Sequence, residues 1–418
     1  MTALSAPGFP ETAVRDRARR GEAAAFPPHE EYGRAVFGSV AGTGGDPLDA
    51  LRIVPPVLMP RRLEKLVELG REPLPEDVDL TTRLGGFGSA LPLYVSAFGS
   101  TSLASDGLGL AVARQAGALG VPLVVGENVV PVTGYGRVEE SAGRAMLLDR
   151  IRAYAEESRS ELGGVVVQQS TEDADAEVWN LVYSDPNVTP LLEAGRLGFE
   201  LKVGQGAKPG LGGMTLVDTA TAERLADTYA LGTSTGSRVH RSSSPGTFTS
   251  DILGSQVRLM RNNFPRCRIW VKLPPGRDVA DAAAIAWAEG ADAVTVDGAE
   301  AGTGWAPTSF LDVGLPLGEC LARIGRPATS LLASGRMWEG TRATKALALG
   351  ATGIGLGRAA LLAVHERRAD GLVNLVRCLA LELRLLISAL GKYAVADLGR
   401  EDLWPAPCGH PPPGTPQP

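Results

Sequence analysis

The chain has 418 residues, of which 41 are Lys or Arg and 47 are Asp or Glu, so its formal net charge is −6. Hydrophobic residues make up 44% and charged residues 21%, which is typical of globular proteins and excludes a disordered or fibrous chain. The mild acidity, with no run of five basic residues, argues against a nucleic-acid partner or an anionic membrane surface. We therefore expect a small-molecule ligand.

The two ends of the chain differ in composition from its middle. Residues 1–28 are rich in Ala, Arg, Gly and Pro without periodicity, which predicts a flexible N-terminal arm. Residues 29–90 predict a segment that caps the mouth or the floor of the domain that follows. Residues 362–403 have a helical pattern and predict helices packed on that domain, and residues 404–418 form a proline-rich tail.

Between these ends, short apolar runs alternate with segments of helical periodicity. Eight runs predict strands, at 91–98, 121–126, 164–169, 199–204, 268–273, 291–298, 329–335 and 352–357. Each run is almost continuously apolar, as in strands that are covered on both faces of a parallel sheet. Eight β-then-α units within residues 91–361 match the roughly 250 residues of a (β/α)8 TIM barrel, an α/β fold. The rival is a doubly wound open sheet, which the lack of a GxGxxG motif after the first strand disfavours.

Reactive side chains follow several of these strands. Only six lysines occur beside 35 arginines, and three of them, Lys202, Lys208 and Lys272, lie at the ends of the fourth and fifth strands. Gln205 lies in the same segment as the first two, and Glu127 follows the second strand. The carboxyl ends of barrel strands converge on the face that carries active sites, so these groups predict a site there. A single lysine at such a position is more simply explained as a solvated loop residue without a functional role. This explanation is weaker for three lysines at two neighbouring strand ends.

Glycine-rich segments follow the last three strands, as DGAEAGTGWAP at 297–307, ASGR at 333–336 and GLGR at 355–358. Exposed backbone N–H groups in such loops, followed by a helix N-terminus, form an anion site. Arg336 or Arg358 can add charge-assisted hydrogen bonds. Each glycine alone is more often only a tight turn, but together they predict a phosphate-bearing ligand such as FMN, a phosphorylated substrate or a nucleotide.

A further polar cluster holds Arg238, His240 and Arg241 and precedes a helix predicted to begin near Ser250. A lone histidine in such a segment is more often structural than catalytic. We assign it no role.

The four cysteines, at 267, 320, 378 and 408, form no CxxC motif and no Cys/His cluster. This spacing supports neither a disulfide framework nor a zinc or iron–sulfur site, and it fits reduced thiols. No run reaches 18 apolar residues, and the first 20 residues lack a signal-type apolar core. We expect a cytoplasmic protein with no membrane segment and no bound metal.

The motifs at the strand ends resemble one family. The run ELKVGQGAKPGLGG at 200–213 resembles the signature loop of the FMN-binding synthase domain of glutamate synthases, and QGAKPG is its most specific part. VSAFGSTS, VVGEN, WVKL, DGAEAGTGWAP, ASGR and GLGRAAL fall in the same order as that domain's other motifs, over about residues 90–395. Residues 53–86 are also similar to the entrance segment of other FMN barrels, including type 2 isopentenyl-diphosphate isomerases. Both resemblances imply FMN.

The resemblance implies catalytic candidates. Lys202, Gln205 and Lys208 match the triplet near the flavin and a 2-oxoglutarate or 2-iminoglutarate substrate. Glu127 matches an acidic residue at the same pocket. With the carboxylate held by cations, hydride transfer needs the substrate carbon placed close to flavin N5. Either Glu127 or a lysine would handle the proton.

The resemblance also implies cofactor-binding residues. Lys272 matches the lysine beside the N1/C2 carbonyl edge of the flavin, where its charge stabilises the anionic reduced ring. Gln168, or alternatively Gln169, would bond the pyrimidine edge. The other cofactor-binding candidates, which lie at the strand ends, are Ser96, Ala97, Asp297, Gly302, Thr303, Gly304, Ser334, Gly335, Arg336, Gly355, Gly357 and Arg358.

The sequence departs from the family pattern in ways that bear on mechanism. We find no amidotransferase segment and no cysteine run for a [3Fe–4S] cluster, so the resemblance implies a separate electron donor or ammonia-supplying subunit. Leu211 replaces the acidic residue of the KPG loop, and SSSPGTFTSDI replaces a Pro/His-rich segment. Glutamate itself is therefore not assumed as the substrate.

Three functions remain open from the sequence. The favoured one is a glutamate synthase-like FMN oxidoreductase that transfers hydride between flavin N5 and the α-carbon of an amino, imino or 2-oxo acid. The second is an FMN-dependent isomerisation, rearrangement or elimination without net redox chemistry. The third is a flavin-binding subunit of a larger complex. In each case we expect a homo-oligomer.

Overall fold

A computed structural model describes residues 9–25, 45–98, 107–126, 142–158, 161–170, 178–206, 213–226, 230–235, 238–243, 247–301 and 313–404. The strands are β1 (Arg52–Ile53), β2 (Thr82–Leu84), β3 (Phe87–Ser89), β4 (Leu93–Phe98), β5 (Leu123–Val125), β6 (Val165–Ser170), β7 (Leu197–Lys202), β8 (Gly213–Asp218), β9 (Ala230–Thr235), β10 (Arg238–Ser243), β11 (Arg268–Leu273), β12 (Ala293–Asp297), β13 (Ser330–Ser334), β14 (Gly353–Leu356) and β15 (Leu403–Trp404).

The helices alternate with the barrel strands and continue at both ends of the chain. They are α1 (Glu11–Arg20), α2 (Pro47–Ala50), α3 (Pro60–Leu69), α4 (Gly109–Leu119), α5 (Ala142–Glu157), α6 (Val178–Ser184), α7 (Thr189–Glu193), α8 (Thr219–Leu225), α9 (Ser250–Asn263), α10 (Val279–Ala288), α11 (Leu317–Ile324), α12 (Gly340–Ala348), α13 (Arg358–Glu366) and α14 (Gly371–Ala389). Short 3-10 helices span Gly21–Ala25, Pro75–Asp77, Ala299–Ala301, Val395–Asp397 and Arg400–Asp402.

In the described part of the chain, eight parallel strands close into a barrel in the order β4, β5, β6, β7, β11, β12, β13, β14, and β14 pairs back with β4. Each coincides with a run predicted from the sequence, so the predicted (β/α)8 barrel is confirmed and the open sheet is excluded. The runs are apolar throughout because both strand faces are buried. On β6, for example, Val165 and Val167 join the outer core under the helices, and Val166 joins the cluster inside the barrel.

The hairpin of β2 and β3 plugs the amino-terminal floor of the barrel. Leu84 and Phe87 pack with the inward-facing apolar residues of the lower barrel, which are Tyr94, Val124, Val166, Trp270, Ala293 and Leu332. The Trp270 indole N–H donates to the Gly85 carbonyl at 3.0 Å. Gly85 has φ 54°, and a Cβ there would lie 2.1 Å from the Trp270 Nε1 atom. Residues 82–89 therefore cover the floor of the barrel and leave the opposite face for ligands.

The N-terminal segment differs from the flexible arm that its composition predicts. Residues Glu11–Arg20 form α1, which packs on α13 and α14 with Val14 and Ala18 completely buried. Arg17 forms an ion pair with Glu382 of α14 at 2.6 Å. The prediction was wrong here because two small apolar residues one turn apart are enough to dock a short helix, although most of its other residues are polar.

A three-stranded antiparallel sheet, in the order β8, β10, β9, is inserted between barrel strands β7 and β11. No pattern in the sequence predicted this sheet. His240 lies on β10, opposite Leu216 of β8. Helix α9 then begins at Ser250, as predicted, with the Thr249 hydroxyl accepting a hydrogen bond from the Ile252 N–H at 3.2 Å.

Helix α14, with 19 residues, packs against α12, α13 and α4 on the outside of the barrel. Among the described residues, no helix combines the length and the apolar character that a membrane span requires.

Candidate functional site

The lumen of the barrel changes from apolar to polar toward the carboxyl ends of its strands. Eight polar residues there are at most 5% exposed: Ser96, Gln168, Glu200, Lys202, Lys272, Thr295, Asp297 and Ser334. Burying polar and charged groups is costly unless they are paired or bind something. Their concentration at the strand ends, where barrel proteins carry their sites, identifies this mouth as the candidate active site.

A chain of contacts crosses one side of this mouth. The Nζ atom of Lys272 lies 3.1 Å from Oδ2 of Asp297, and the two side chains are 6% and 5% exposed. The Ser334 hydroxyl donates to Oδ1 of Asp297, and the Ser96 and Ser334 hydroxyl oxygens are 3.5 Å apart. Asp297 thus fixes a buried ammonium group at the mouth.

Glu200 forms the centre of a second group of contacts. Its carboxylate accepts hydrogen bonds from the Gln168 amide at 2.5 Å and from the Thr295 hydroxyl at 2.7 Å. Burial raises the pKa of the Glu200 carboxyl, while the positive charge of Lys272 and these two hydrogen bonds act in the opposite direction. Burial, followed by the charges of Glu200 and Asp297, also raises the pKa of the Tyr94 hydroxyl well above its ordinary value.

The two buried lysines lie side by side. Lys202 of β7 is paired directly with Lys272 of β11 in the parallel register of the two strands. Both are 4% exposed, and both follow a lumen-facing residue by two positions, Glu200 and Trp270 respectively. Two lysines on adjacent strands, with the carboxylates of Asp297 and Glu200 in the same lumen, can orient an anionic ligand at the mouth.

The ends of β13 and β14 carry the second part of the site. Gly335 and Arg336 have φ 142° and 52°, and the Nε atom of Arg336 is buried without a hydrogen-bond partner among the described residues. Gly357 precedes α13 with no side-chain cap, and a Cβ built on it meets no atom within 4 Å. An uncapped helix N-terminus, an open glycine and an unsatisfied guanidinium N–H together suit a phosphate group.

A buried ion network that the sequence did not reveal supports this end of the site. Arg342, 3% exposed, binds Asp46 and Glu300 at 2.6 Å each and also pairs with Asp49. Its Nε atom donates to the Gly335 carbonyl at 3.2 Å. Burial and the neighbouring charge of Asp46 raise the pKa of the Glu300 carboxyl to about 8. The network ties residues 46–49 to the end of β13.

The structure brings together most of the predicted residues that it describes. In the lumen lie Ser96, Gln168, Lys202, Lys272, Asp297 and Ser334, with Ala97 packed against the inner cluster, and at the ends of β13 and β14 lie Gly335, Arg336, Gly355, Gly357 and Arg358. Gln205 lies three residues past the end of β7 and is half-buried. Outside the described residues lie Glu127, Lys208, Leu211, Gly302, Thr303 and Gly304.

Of Gln168 and Gln169, the first lies in the lumen. Gln168 reaches Glu200 inside the barrel, whereas alternation along β6 directs its neighbour to the opposite face of the strand. Glu200, Thr295 and Tyr94 were not predicted as site residues from the sequence. Their signal was the period of two: Glu200 precedes Lys202, and Thr295 precedes Asp297, each by two residues.

The fold and the site define the class of this protein, a TIM barrel with buried lysines and carboxylates at its carboxyl face. Residues 188–378 match the family model described as the conserved region in glutamate synthase. The resemblance predicted from the motifs is therefore confirmed: this part of the chain is similar to the glutamate synthases.

Several curated relatives match part of the chain. An archaeal-type glutamate synthase [NADPH] of Dehalococcoides mccartyi is 28% identical over 247 residues, which are 50% of this chain and 49% of the relative. A glutamate synthase large subunit-like protein of Rhizobium meliloti is 33% identical over 180 residues, 40% of this chain and 39% of the relative. The chain thus spans half or less of these relatives.

Solved structures share the fold over nearly the whole chain. An oxidised active mutant of (S)-mandelate dehydrogenase superposes with a TM-score of 0.57 at 18% identity, covering 95% of this chain and 99% of that one. A mutant flavocytochrome b2 with pyruvate bound superposes with a TM-score of 0.55 at 17% identity, covering 86% of this chain and 77% of that one. At these identities the likeness shows the fold.

Proposed function

We propose that this protein is an FMN-dependent, glutamate synthase-like oxidoreductase that acts on the CH–NH2 group of an amino acid or on its imino or 2-oxo partner. The observation that carries the proposal is the pair of buried lysines, Lys202 and Lys272, side by side at a barrel mouth with a phosphate-type site beside it. The synthase match of residues 188–378 supports it.

The described residues fit FMN. Gly335, Arg336, Gly357 and Arg358 would hold the phosphate, because they combine an unsatisfied N–H, open space and a helix N-terminus. Ser96, Ala97, Gln168, Lys272, Asp297, Ser334 and Gly355 would surround the ring. When bound, FMN supplies a group that accepts or returns a hydride at N5.

The chain's own residues would supply binding and charge. Lys272 holds a positive charge at the mouth, and Asp297 keeps that ammonium group oriented at 3.1 Å. Lys202 would bind the carboxylate of the substrate, with Gln205 beside it. A small anionic substrate gains most from such cations because the site is shielded from water. For the proton at the α-nitrogen we propose Glu127 or Lys208, which lie outside the described residues.

The proposal extends to partners and location. We propose a separate electron donor, or an ammonia-supplying subunit, as a partner, and a homo-oligomer as the working form. Cys267, Cys320 and Cys378 are free and buried, and burial raises the pKa of each thiol to about 12. Inert reduced thiols of this kind support a cytoplasmic location.

The experiment is an anaerobic absorbance titration of the FMN-loaded protein with a panel of amino acids, amines, 2-oxo acids and reduced nicotinamides. We expect bleaching of the flavin band by at least one amino acid, or reoxidation of the reduced enzyme by a 2-oxo acid with ammonia. Turnover only with prereduced flavin and no net electron flow would replace this function with an isomerase or eliminase. A flavin-loaded protein inert to every compound would contradict an oxidoreductase.

A further inference from the structure

Glu200 is a buried carboxyl group in the barrel lumen that the proposed chemistry leaves without a task. It is 1% exposed and contacts side chains from two other barrel strands, Gln168 of β6 and Thr295 of β12. A barrel of this size can be filled by apolar side chains, as the lower half of this one is. A carboxylate at such a position needs a reason, since its burial is unfavourable.

The hydrogen bonds define what Gln168 can present to a ligand. An ionised carboxylate only accepts hydrogen bonds, so the contact at 2.5 Å uses one N–H of the Gln168 amide. The carbonyl oxygen and the second N–H of that amide are then directed away from Glu200. A glutamine without such a partner can rotate by half a turn and exchange its oxygen and nitrogen.

The pyrimidine edge of an isoalloxazine ring carries an imide N–H between two carbonyl oxygens. A side chain that binds this edge needs an acceptor opposite the N–H and a donor opposite a carbonyl oxygen. Glu200 fixes which side of the Gln168 amide carries the oxygen and which carries the nitrogen. The Thr295 hydroxyl donates to the other carboxylate oxygen at 2.7 Å and so fixes the orientation of the carboxylate. Burial raises the pKa of this carboxyl group, and the charge of Lys272 and the two hydrogen bonds oppose that shift in favour of the ionised form.

We propose that Glu200 is a positioning residue that locks the amide of Gln168 in the orientation that reads the pyrimidine edge of the flavin. This inference rests on the proposed flavin site and adds to it a residue that never touches the flavin. Glu200 acts on ring affinity through Gln168, independently of the phosphate end of the site.

The test compares FMN and riboflavin, which share the ring and differ in the phosphate. We measure both dissociation constants by flavin fluorescence quenching, for wild type, Glu200→Gln, Thr295→Val, Gln168→Leu and the double variant Glu200→Gln/Gln168→Leu. Glu200→Gln is expected to weaken the binding of FMN and of riboflavin by the same factor, about tenfold, and to shift the absorption band of the bound flavin. Thr295→Val, which keeps the contact between Glu200 and Gln168, is expected to weaken both by less than threefold.

The double variant separates positioning from general damage. In the Gln168→Leu background, Glu200→Gln is expected to change flavin affinity by less than twofold, because its effect passes through Gln168. An undiminished loss in that background, or a folded Glu200→Gln protein with wild-type affinity, overturns the inference. If Glu200→Gln does not fold, Glu200→Asp replaces it, because the shorter side chain keeps the charge but no longer reaches Gln168. This variant must then lose affinity for FMN and for riboflavin by the same factor. Wild-type protein that binds neither flavin overturns the proposed function as well.

Discussion

The ammonium group of Lys272 lies 3.1 Å from the carboxylate of Asp297, and both side chains are almost entirely buried at the carboxyl ends of neighbouring strands. Such a pair gives the mouth a fixed positive charge whose position does not depend on solvent. Because Lys202 lies beside Lys272 in the strand register, and Glu200 is buried in the same lumen, the mouth holds two lysines and two carboxylates.

Replacement of Lys272 by Met should affect both stability and the flavin. It leaves Asp297 buried without its cation, so we expect a loss of about 3 kcal/mol in the free energy of unfolding, measured by urea denaturation. The midpoint potential of the bound flavin should become more negative, because an anionic reduced ring loses its nearest positive charge. Lys65→Met is the control: Lys65 pairs with Glu68 on the surface, and its loss should cost about 0–1 kcal/mol. An unchanged midpoint potential would mean that Lys272 does not lie close to the flavin ring.

Replacement of Lys202 by Met tests the substrate carboxylate site. FMN should stay bound, while the rate of flavin reduction by the substrate falls about 10- to 100-fold, as for a lost charge-assisted hydrogen bond. Stopped-flow absorbance measures this rate. The same pattern is expected for Lys208→Ala. If either variant reduces its flavin at the wild-type rate, the lysine replaced in it does not bind the substrate.

Two glycines at the end of β14 should respond differently to alanine. A Cβ on Gly355 would lie 2.6 Å from the Tyr94 hydroxyl oxygen and 2.9 Å from Cβ of Ser334, so Gly355→Ala should destabilise the apoprotein by about 1–3 kcal/mol. A Cβ on Gly357 meets no atom within 4 Å, so Gly357→Ala should fold with normal stability. Because a phosphate would approach this backbone, Gly357→Ala should weaken the binding of FMN and leave the binding of riboflavin unchanged. Equal weakening for both flavins would mean that the phosphate does not bind at Gly357.

The raised pKa of Glu300, about 8 in the folded protein, predicts a pH effect on stability. Between the ordinary carboxyl pKa of about 4.3 and this value, the folded state binds more protons than the unfolded state. The contribution of Glu300 is therefore fully present below about pH 4 and is lost as the pH rises through 8. Thermal melting from pH 5 to 9 should show this decline in wild type and a flatter profile in Glu300→Gln. Identical profiles would mean that Glu300 is already ionised beside Arg342.

The barrel strands could be predicted because both of their faces are buried, which leaves continuous apolar runs such as 268–273. The lysines at the mouth could be found because the end of a run locates the end of its strand. The sheet of β8, β9 and β10 was missed because segments such as ALGTST and RVHRSS are short, polar and lack a clear period. The Arg342 network was missed because its members, residues 46, 49, 300 and 342, come together only in the folded chain.

Binding of FMN at the barrel mouth is tested by the flavin content of the purified protein, followed by titration of the apoprotein with FMN. We expect a flavin absorption spectrum, release of FMN on denaturation, and saturation at one FMN per chain, with weaker binding in Arg336→Ala. A folded protein, as judged by circular dichroism, that neither carries nor takes up FMN would contradict it.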